Sequence, residues 1–337
     1  VLGLDPAFRT GTKWVLVNHT GRFVKHGVIY PVPPKNQVEE ARKELNEVLK
    51  EHKVDIVAIG NGTASREVFR FIRDWIKDEN HELETLVVNE SGASVYSASK
   101  TAREEFPDLD LTVRGAVSIA RRYQDPLAEL VKIEPKSIGV GQYQHDVNQN
   151  RLKQSLERTV ESCVNYVGVD LNRASFQLLE HVSGISPGLA RNIVQHRNLN
   201  GAYSTRNDLL NVKGMGKRTF EQSAGFLRVM ESENPLDQSA VHPENYTLVE
   251  QMAEHLELPL KEMVGNEEKL KLIDVKRYEE QGIGSFTLKD IIDELHKPGR
   301  DPRKDHETVQ FDDSVSEIAD LENCLLYTSD AADDRMR

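Results

Sequence analysis

The chain has 337 residues, with 43 Lys and Arg against 55 Asp and Glu, giving a formal net charge of −12. That length predicts two or three domains, and a composition of 38% apolar and 29% charged residues excludes a disordered chain. No run approaches the roughly 18 apolar residues of a membrane span, nothing reads as a signal peptide, and −12 taken whole argues against a nucleic-acid binder, because phosphate contacts need cations. In chain order, residues 1–4, 13–17 and 23–30 read as strands, with a turn at Asn18-His19-Thr20-Gly21. Residues 38–53 read as an amphipathic helix, 54–59 as a buried strand, 64–77 as a helix and 85–89 as a further strand. From about residue 148 strands disappear. Residues 152–166 and 174–180 have helical spacing, residues 235–243 read as a polar linker, and 247–255, 261–264 and 288–295 as short helices. Residues 297–304 form a basic, turn-rich exit.

Three strands in hairpin order followed by strand and helix in alternation predict an α/β sheet of ribonuclease H type, with a doubly wound nucleotide-binding sheet as the competitor. The whole is expected to be multidomain: α/β over residues 1–147, then all-α over 148–235 and again over 236–312. Charge follows the same division. Residues 1–150 carry 20 basic and 22 acidic side chains, 151–235 carry 11 and 8, and 236–337 carry 12 and 25, so the middle segment is the only net-basic one. Val1-Leu2-Gly3-Leu4-Asp5, without an initiator Met, reads as a strand already under way, so the chain is expected to be a piece of a longer one. The cysteines, Cys163 and Cys324, are too isolated for a disulfide framework or a zinc site, and a reducing, cytoplasmic location is expected.

The most informative pattern is a repeat. An apolar helix end followed by Val182-Ser183-Gly184-Ile185-Ser186-Pro187-Gly188 recurs thirty positions later as Val212-Lys213-Gly214-Met215-Gly216-Lys217-Arg218, each leading into a second helix. This is a doubled helix-hairpin-helix pattern. Glycine permits the tight turn and lets backbone N–H groups at the following helix N-terminus approach a phosphate. Gly184, Ile185 and Gly188 in the first copy, and Lys213, Gly214, Met215, Gly216, Lys217 and Arg218 in the second, are therefore candidate nucleic-acid contacts. The first copy has no Lys or Arg in its turn, so the second is expected to bind more strongly.

In a ribonuclease H-like sheet, two strand-end carboxylates and a third on a later helix hold catalytic metal ions. Asp5 and Glu90 stand at the ends of the first and last apolar runs, so Mg2+ would sit there if anywhere. The helix expected to carry the third acid reads Arg114-Gly115-Ala116-Val117-Ser118-Ile119-Ala120-Arg121-Arg122, with glycine where resolvase-type enzymes place aspartate. Asp125 and Asp146 are no obvious substitutes. The expectation is a nuclease fold without efficient catalysis or a required cofactor, keeping a groove lined by Arg114, Arg121 and Arg122. Gly60-Asn61-Gly62 between strand and helix is too incomplete to be a dinucleotide or phosphate loop, and His145 reads as a packing residue rather than a base.

The segments at residues 3–11 (GLDPAFRTG), 59–67 (IGNGTASRE), 89–99 (NESGASVYSAS), 125–133 (DPLAELVKI) and 138–147 (IGVGQYQHDV) together resemble the bacterial Tex-type transcription accessory proteins. Residues 241–246 (VHPENY) and 297–303 (KPGRDPR) extend the match to about residue 322. The resemblance implies a YqgF-like ribonuclease H-fold domain, tandem helix-hairpin-helix modules and a further helical segment. It also implies an N-terminal helical region and a C-terminal OB-fold RNA-binding domain outside this chain, with residues 313–322 leading toward the latter. Residues 323–337 do not continue the resemblance and read as a non-native tail.

The leading expectation is RNA or DNA binding without strong sequence preference, as the core of a transcription accessory factor. One alternative is a divalent-metal-dependent nuclease using Asp5 and Glu90. The other is a scaffold whose acidic last third contacts the transcription or translation machinery.

Overall fold

A computed structural model describes residues 1–280 and 283–296. The sequence expectations for the tail, for residues 297–304 and for the 313–322 lead-in lie outside them. The first domain is built on a five-stranded sheet of β1 (Leu2–Asp5), β2 (Thr12–Val17), β3 (Phe23–Ile29), β4 (Ile56–Gly60) and β5 (Glu84–Val88), in the order β3-β2-β1-β4-β5. The β1–β2–β3 pairs are antiparallel and β1–β4–β5 are parallel. The competing doubly wound sheet is thereby excluded, since an antiparallel meander forms half of this one.

The alternation of β1 sets the layers. Leu2 and Leu4 point into a core with Leu45 of α1 (Val38–Glu51) and Val68, Ile72 and Trp75 of α2 (Ser65–Asp78). Gly3 points to the other face, where a Cβ would lie 2.6 Å from the Cβ of Ala120. Only a bare backbone lets α5 (Leu111–Gln124) press that closely on β1, burying Val113, Ala116, Val117 and Ala120 against Val15 and Val17. Between β5 and α5 run α3 (Ala93–Ala98), which packs along α5, and α4 (Lys100–Glu105), whose last residue Glu105 pairs with Arg121 of α5.

Two short helices, α6 (Pro126–Leu130) and α7 (Pro135–Ile138), lead out of this domain. Lys132, just beyond α6, bridges to Glu105 at 2.9 Å and Glu129 at 2.7 Å, while Leu127, Ala128 and Val131 pack on the next core. The connector thus belongs to both. That next core joins α8 (Gln149–Val167), α9 (Phe176–Leu179), α10 (Pro187–Asn200), a 3-10 turn over Arg206–Asn211 and α11 (Lys217–Ser223). A two-residue parallel bridge between Val169–Asp170 and Leu227–Arg228 ties its ends.

A third core gathers α12 (Tyr246–His255), α13 (Leu260–Met263), α14 (Glu267–Leu270), α15 (Val275–Glu280) and α16 (Ser285–His296) around Val249, Met252, Leu288 and Ile291. The segment 235–243, expected to be a polar linker, is instead a buried joint, with Leu236 and Ser239 fully covered. Its polar residues misled because their partner is distant in sequence. Arg206, 1% exposed, donates to the carbonyls of Val241 at 2.6 Å and of Ser239, and to the Tyr246 hydroxyl at 3.0 Å. Tyr246 in turn donates to Asp237 at 2.7 Å.

Candidate nucleic-acid interface

The two hairpins have the same backbone. The amide of Ile185 donates to Val182 O at 3.0 Å, as Met215 does to Val212 O at 3.0 Å. Gly184 and Gly214 hold φ of +87° and +92°, which L side chains avoid. Ala190 N and Phe220 N donate to Ser186 O and Gly216 O, each at 2.9 Å, starting α10 and α11 in the same register. The copies also face one another. A Cβ on Gly184 would meet Gln222, and one on Gly214 would meet Asn192, whose Nδ2 donates to Lys213 O at 2.8 Å. Asn192 and Gln222 are themselves thirty positions apart, so the repeat in sequence is an approximate two-fold in space.

Replacing Gly214 with Ala is expected to cost about 1–2 kcal/mol of stability, because an L residue is forced into the left-handed region. Thermal denaturation checks this.

The side chains divide the candidate residues. Ile185 and Met215 are 6% and 7% exposed and anchor their turns in the core, so only their backbone remains available. Both were expected as contacts, but an apolar residue between two turn positions is drawn inward by burial. Gly184, Gly188, Lys213, Gly214, Gly216, Lys217 and Arg218 are exposed. The helix starts differ too. The Ser186 hydroxyl accepts from Leu189 N at 3.3 Å and so occupies a first-turn donor of α10. Gly216 offers α11 no side-chain cap, which leaves first-turn amides of Lys217, Arg218 and Thr219 without an intrahelical or capping partner. The second hairpin therefore presents open donors beside three exposed cations.

The expected arginine groove is corrected. Arg114 and Arg122 are 8% and 5% exposed, and Arg121 is largely covered. Arg114 Nε donates to Phe106 O at 3.0 Å, and Arg121 Nε to Gly21 O at 2.7 Å with an ion pair to Glu105 at 3.0 Å. Arg122 Nη1 donates to Asn89 O at 2.7 Å and Ser91 O at 2.9 Å. These are staples that bind α5 to its surroundings, and α3, the 89–91 segment before it and the end of α4 meet the face that a helical wheel would leave to water.

At the carboxyl edge of the sheet, Asp5 and Glu90 do come together. Burial pushes the Asp5 carboxyl up to about 6, the negative charge of Glu90 adds to this, and Lys13, its β2 neighbour, opposes it. Glu90 folds back over Gly60 and Gly62, whose missing side chains make room for it, and its Oε2 is buried without a hydrogen-bond partner. Gly115 faces the pair directly, since a Cβ there would lie 3.1 Å from Asp5 Oδ2. The third-acid position is thus occupied by glycine. Among the described residues no three metal-ligating side chains converge, so this donor set does not fit the two-metal centre that the fold implies.

The raised Asp5 carboxyl carries a pH signature. Between its ordinary 3.8 and about 6 the fold binds the proton that the unfolded chain releases, so stability falls as pH rises through that window and levels off above it. Asp5→Asn is expected to remove this dependence and to stabilise the protein at pH 7.5 by on the order of 2 kcal/mol. Urea denaturation at pH 4.5 and 7.5 tests the sign.

A ribonuclease H-like domain with a depleted acidic site, followed by paired Gly hairpins, defines a class: an α/β nuclease fold joined to helix-hairpin-helix modules. In agreement, residues 1–124 match the Tex protein YqgF-like domain, residues 164–228 a helix-hairpin-helix motif and residues 234–303 an HHH domain. The chain is 51% identical over 322 residues to Protein tex of Bordetella pertussis, covering 95% of this chain and 41% of that protein. It is 49% identical to Transcriptional accessory protein Tex of Neisseria gonorrhoeae, covering 95% of this chain and 42% of the relative. It is also 35% identical over 383 residues to human S1 RNA-binding domain-containing protein 1, covering 96% of this chain and 38% of that protein. Over 95% of its length the chain is thus similar to proteins named Tex, and it spans about two fifths of the length of these relatives. The match over 234–303 shows that sequence reading missed a third hairpin-type module, although Gly282-Ile283-Gly284 was there to signal it.

Proposed function

We propose that this part of the protein binds RNA or DNA phosphates without strong sequence preference, chiefly through its second hairpin. The observation that carries the reading is the uncapped start of α11 beside Gly214 and Gly216, flanked by exposed Lys213, Lys217 and Arg218. Backbone amides and mobile cations recognise phosphate, which every nucleotide shares, so affinity without base preference follows. The first hairpin, with Ser186 capping its helix and no cation in its turn, supports the second and adds at most Gly184 and Gly188 backbone.

Asp5 and Glu90 have no part in this reading as catalysts, and no resident metal is needed for it. The nuclease alternative would require a third carboxylate at the place Gly115 occupies. The names of the relatives favour a role beside transcription and favour RNA, and among the described residues no helix is long and apolar enough to cross a membrane.

The test is fluorescence anisotropy with labelled single-stranded and duplex RNA and DNA across a salt series. A contact of two or three phosphates predicts a log–log slope of about −2 to −3. Strong preference for one base sequence, or no binding to any of the four probes, would overturn the proposal.

A further inference from the structure

The third hairpin shares the helix start of the other two, whereas its chemistry differs and the amide of its inward apolar residue, Ile283, donates five residues back to Tyr278 O at 3.2 Å, where those of Ile185 and Met215 donate three back. Leu288 N donates to Gly284 O at 3.1 Å, matching Ala190 to Ser186 and Phe220 to Gly216, so Gly284 stands where Ser186 and Gly216 stand. Ile283 packs against the third core, as Ile185 and Met215 do against the second. In this register Ser285 replaces Lys217 and Phe286 replaces Arg218. Phe286 is 84% exposed, more than any other large apolar side chain among the described residues. The charge of its segment is also reversed relative to that of the second hairpin. Residues 236–296 carry 14 acidic and 6 basic side chains, and along the helical face of Phe286 stand Lys289, Asp290 and Asp293 at spacings of three, four and seven.

We propose that this hairpin docks a protein through Phe286, and that the partner offers an apolar socket rimmed by Lys and Arg. A phenyl ring held in water has only two side-chain torsions to lose when it enters a pocket, which makes it a suitable anchor. The acidic module repels a phosphate backbone and attracts a basic protein surface, so the two hairpin types divide the work: the second takes nucleic acid and the third takes protein. This inference does not depend on phosphate binding by the second hairpin.

The experiment places the photocrosslinker p-benzoylphenylalanine at position 286 in the full chain and maps adducts in the cells that make it. The expected result is an adduct to one protein whose crosslinked surface carries excess Lys and Arg. With that partner purified, Phe286→Ala should weaken binding at least about tenfold, in the range of an aromatic anchor, and Phe286→Tyr should restore most of it. Asp290→Lys with Asp293→Lys should weaken binding further as salt falls, whereas wild type strengthens. Because Phe286 is exposed, none of these variants loses core packing. Adducts to nucleic acid, to a second copy of this chain or to an acidic surface would overturn the proposal. So would the absence of any adduct above the wild-type background, or a Phe286→Ala variant that binds the crosslinked partner as wild type does.

Discussion

Charge reversal at the second hairpin, Lys213→Glu with Lys217→Glu and Arg218→Glu, is expected to reduce affinity for single-stranded and duplex nucleic acid by about 100-fold near 0.1 M salt. Each lost cation releases one fewer counterion, and each new carboxylate repels the phosphates, so the salt dependence should flatten as affinity falls. All three side chains are exposed and lie outside the core that Met215 anchors, so the fold should be retained. The equivalent first-hairpin set, Ser183→Glu with Pro187→Glu, is the control. It alters charge at the matching places of the pseudo-two-fold and is expected to cost less than a factor of ten, because those positions carry no cation and Ser186 already caps α10. Equal losses from the two sets would mean that the hairpins bind as a symmetric pair. No loss from either would remove the hairpins as the interface.

Arg206→Ala is expected to destabilise the joint between the second and third cores by about 3–5 kcal/mol. The guanidinium is buried, and losing it strands the carbonyls of Ser239 and Val241 and removes a positive charge that acts on Asp237, 3% exposed. Arg206→Lys should recover only part of the loss, because an ammonium cannot span two carbonyls and a hydroxyl with a planar fork. The checks are urea denaturation and hydrogen exchange at the amides of residues 237–241, which should open well before those of β1 and β4. If Arg206→Met, which keeps bulk without charge, proves as stable as wild type, packing rather than the polar network holds the joint.

Much of this protein is local chemistry and was legible in the sequence. The five strands and their order of appearance follow from alternation and turns. The hairpins announce themselves because a positive φ at 184 and 214 needs glycine. The placement of Asp5 and Glu90 at strand ends was legible for the same reason. Two readings failed together on long-range packing. Arg114, Arg121 and Arg122 look like a basic stripe until carbonyls of Phe106, Gly21, Asn89 and Ser91 hold them, and 235–243 looks like a linker until Arg206 reaches it from about thirty residues away. The third hairpin was missed because its glycines stand in a segment too acidic to suggest the motif.

By itself, then, the sequence determined which backbone turns form, where the carboxylates stand along the strands, and how charge divides among the three segments. These depend on neighbours a few residues apart. Tertiary structure decided which charges meet water. It sealed the arginines of α5 against carbonyls, brought Gly115 rather than an acid to face Asp5, set the two hairpins against each other through Asn192 and Gln222, and left Phe286 outside. Burial is a property of the elements that pack together, and desolvation turns the same arginine from a ligand contact into a staple.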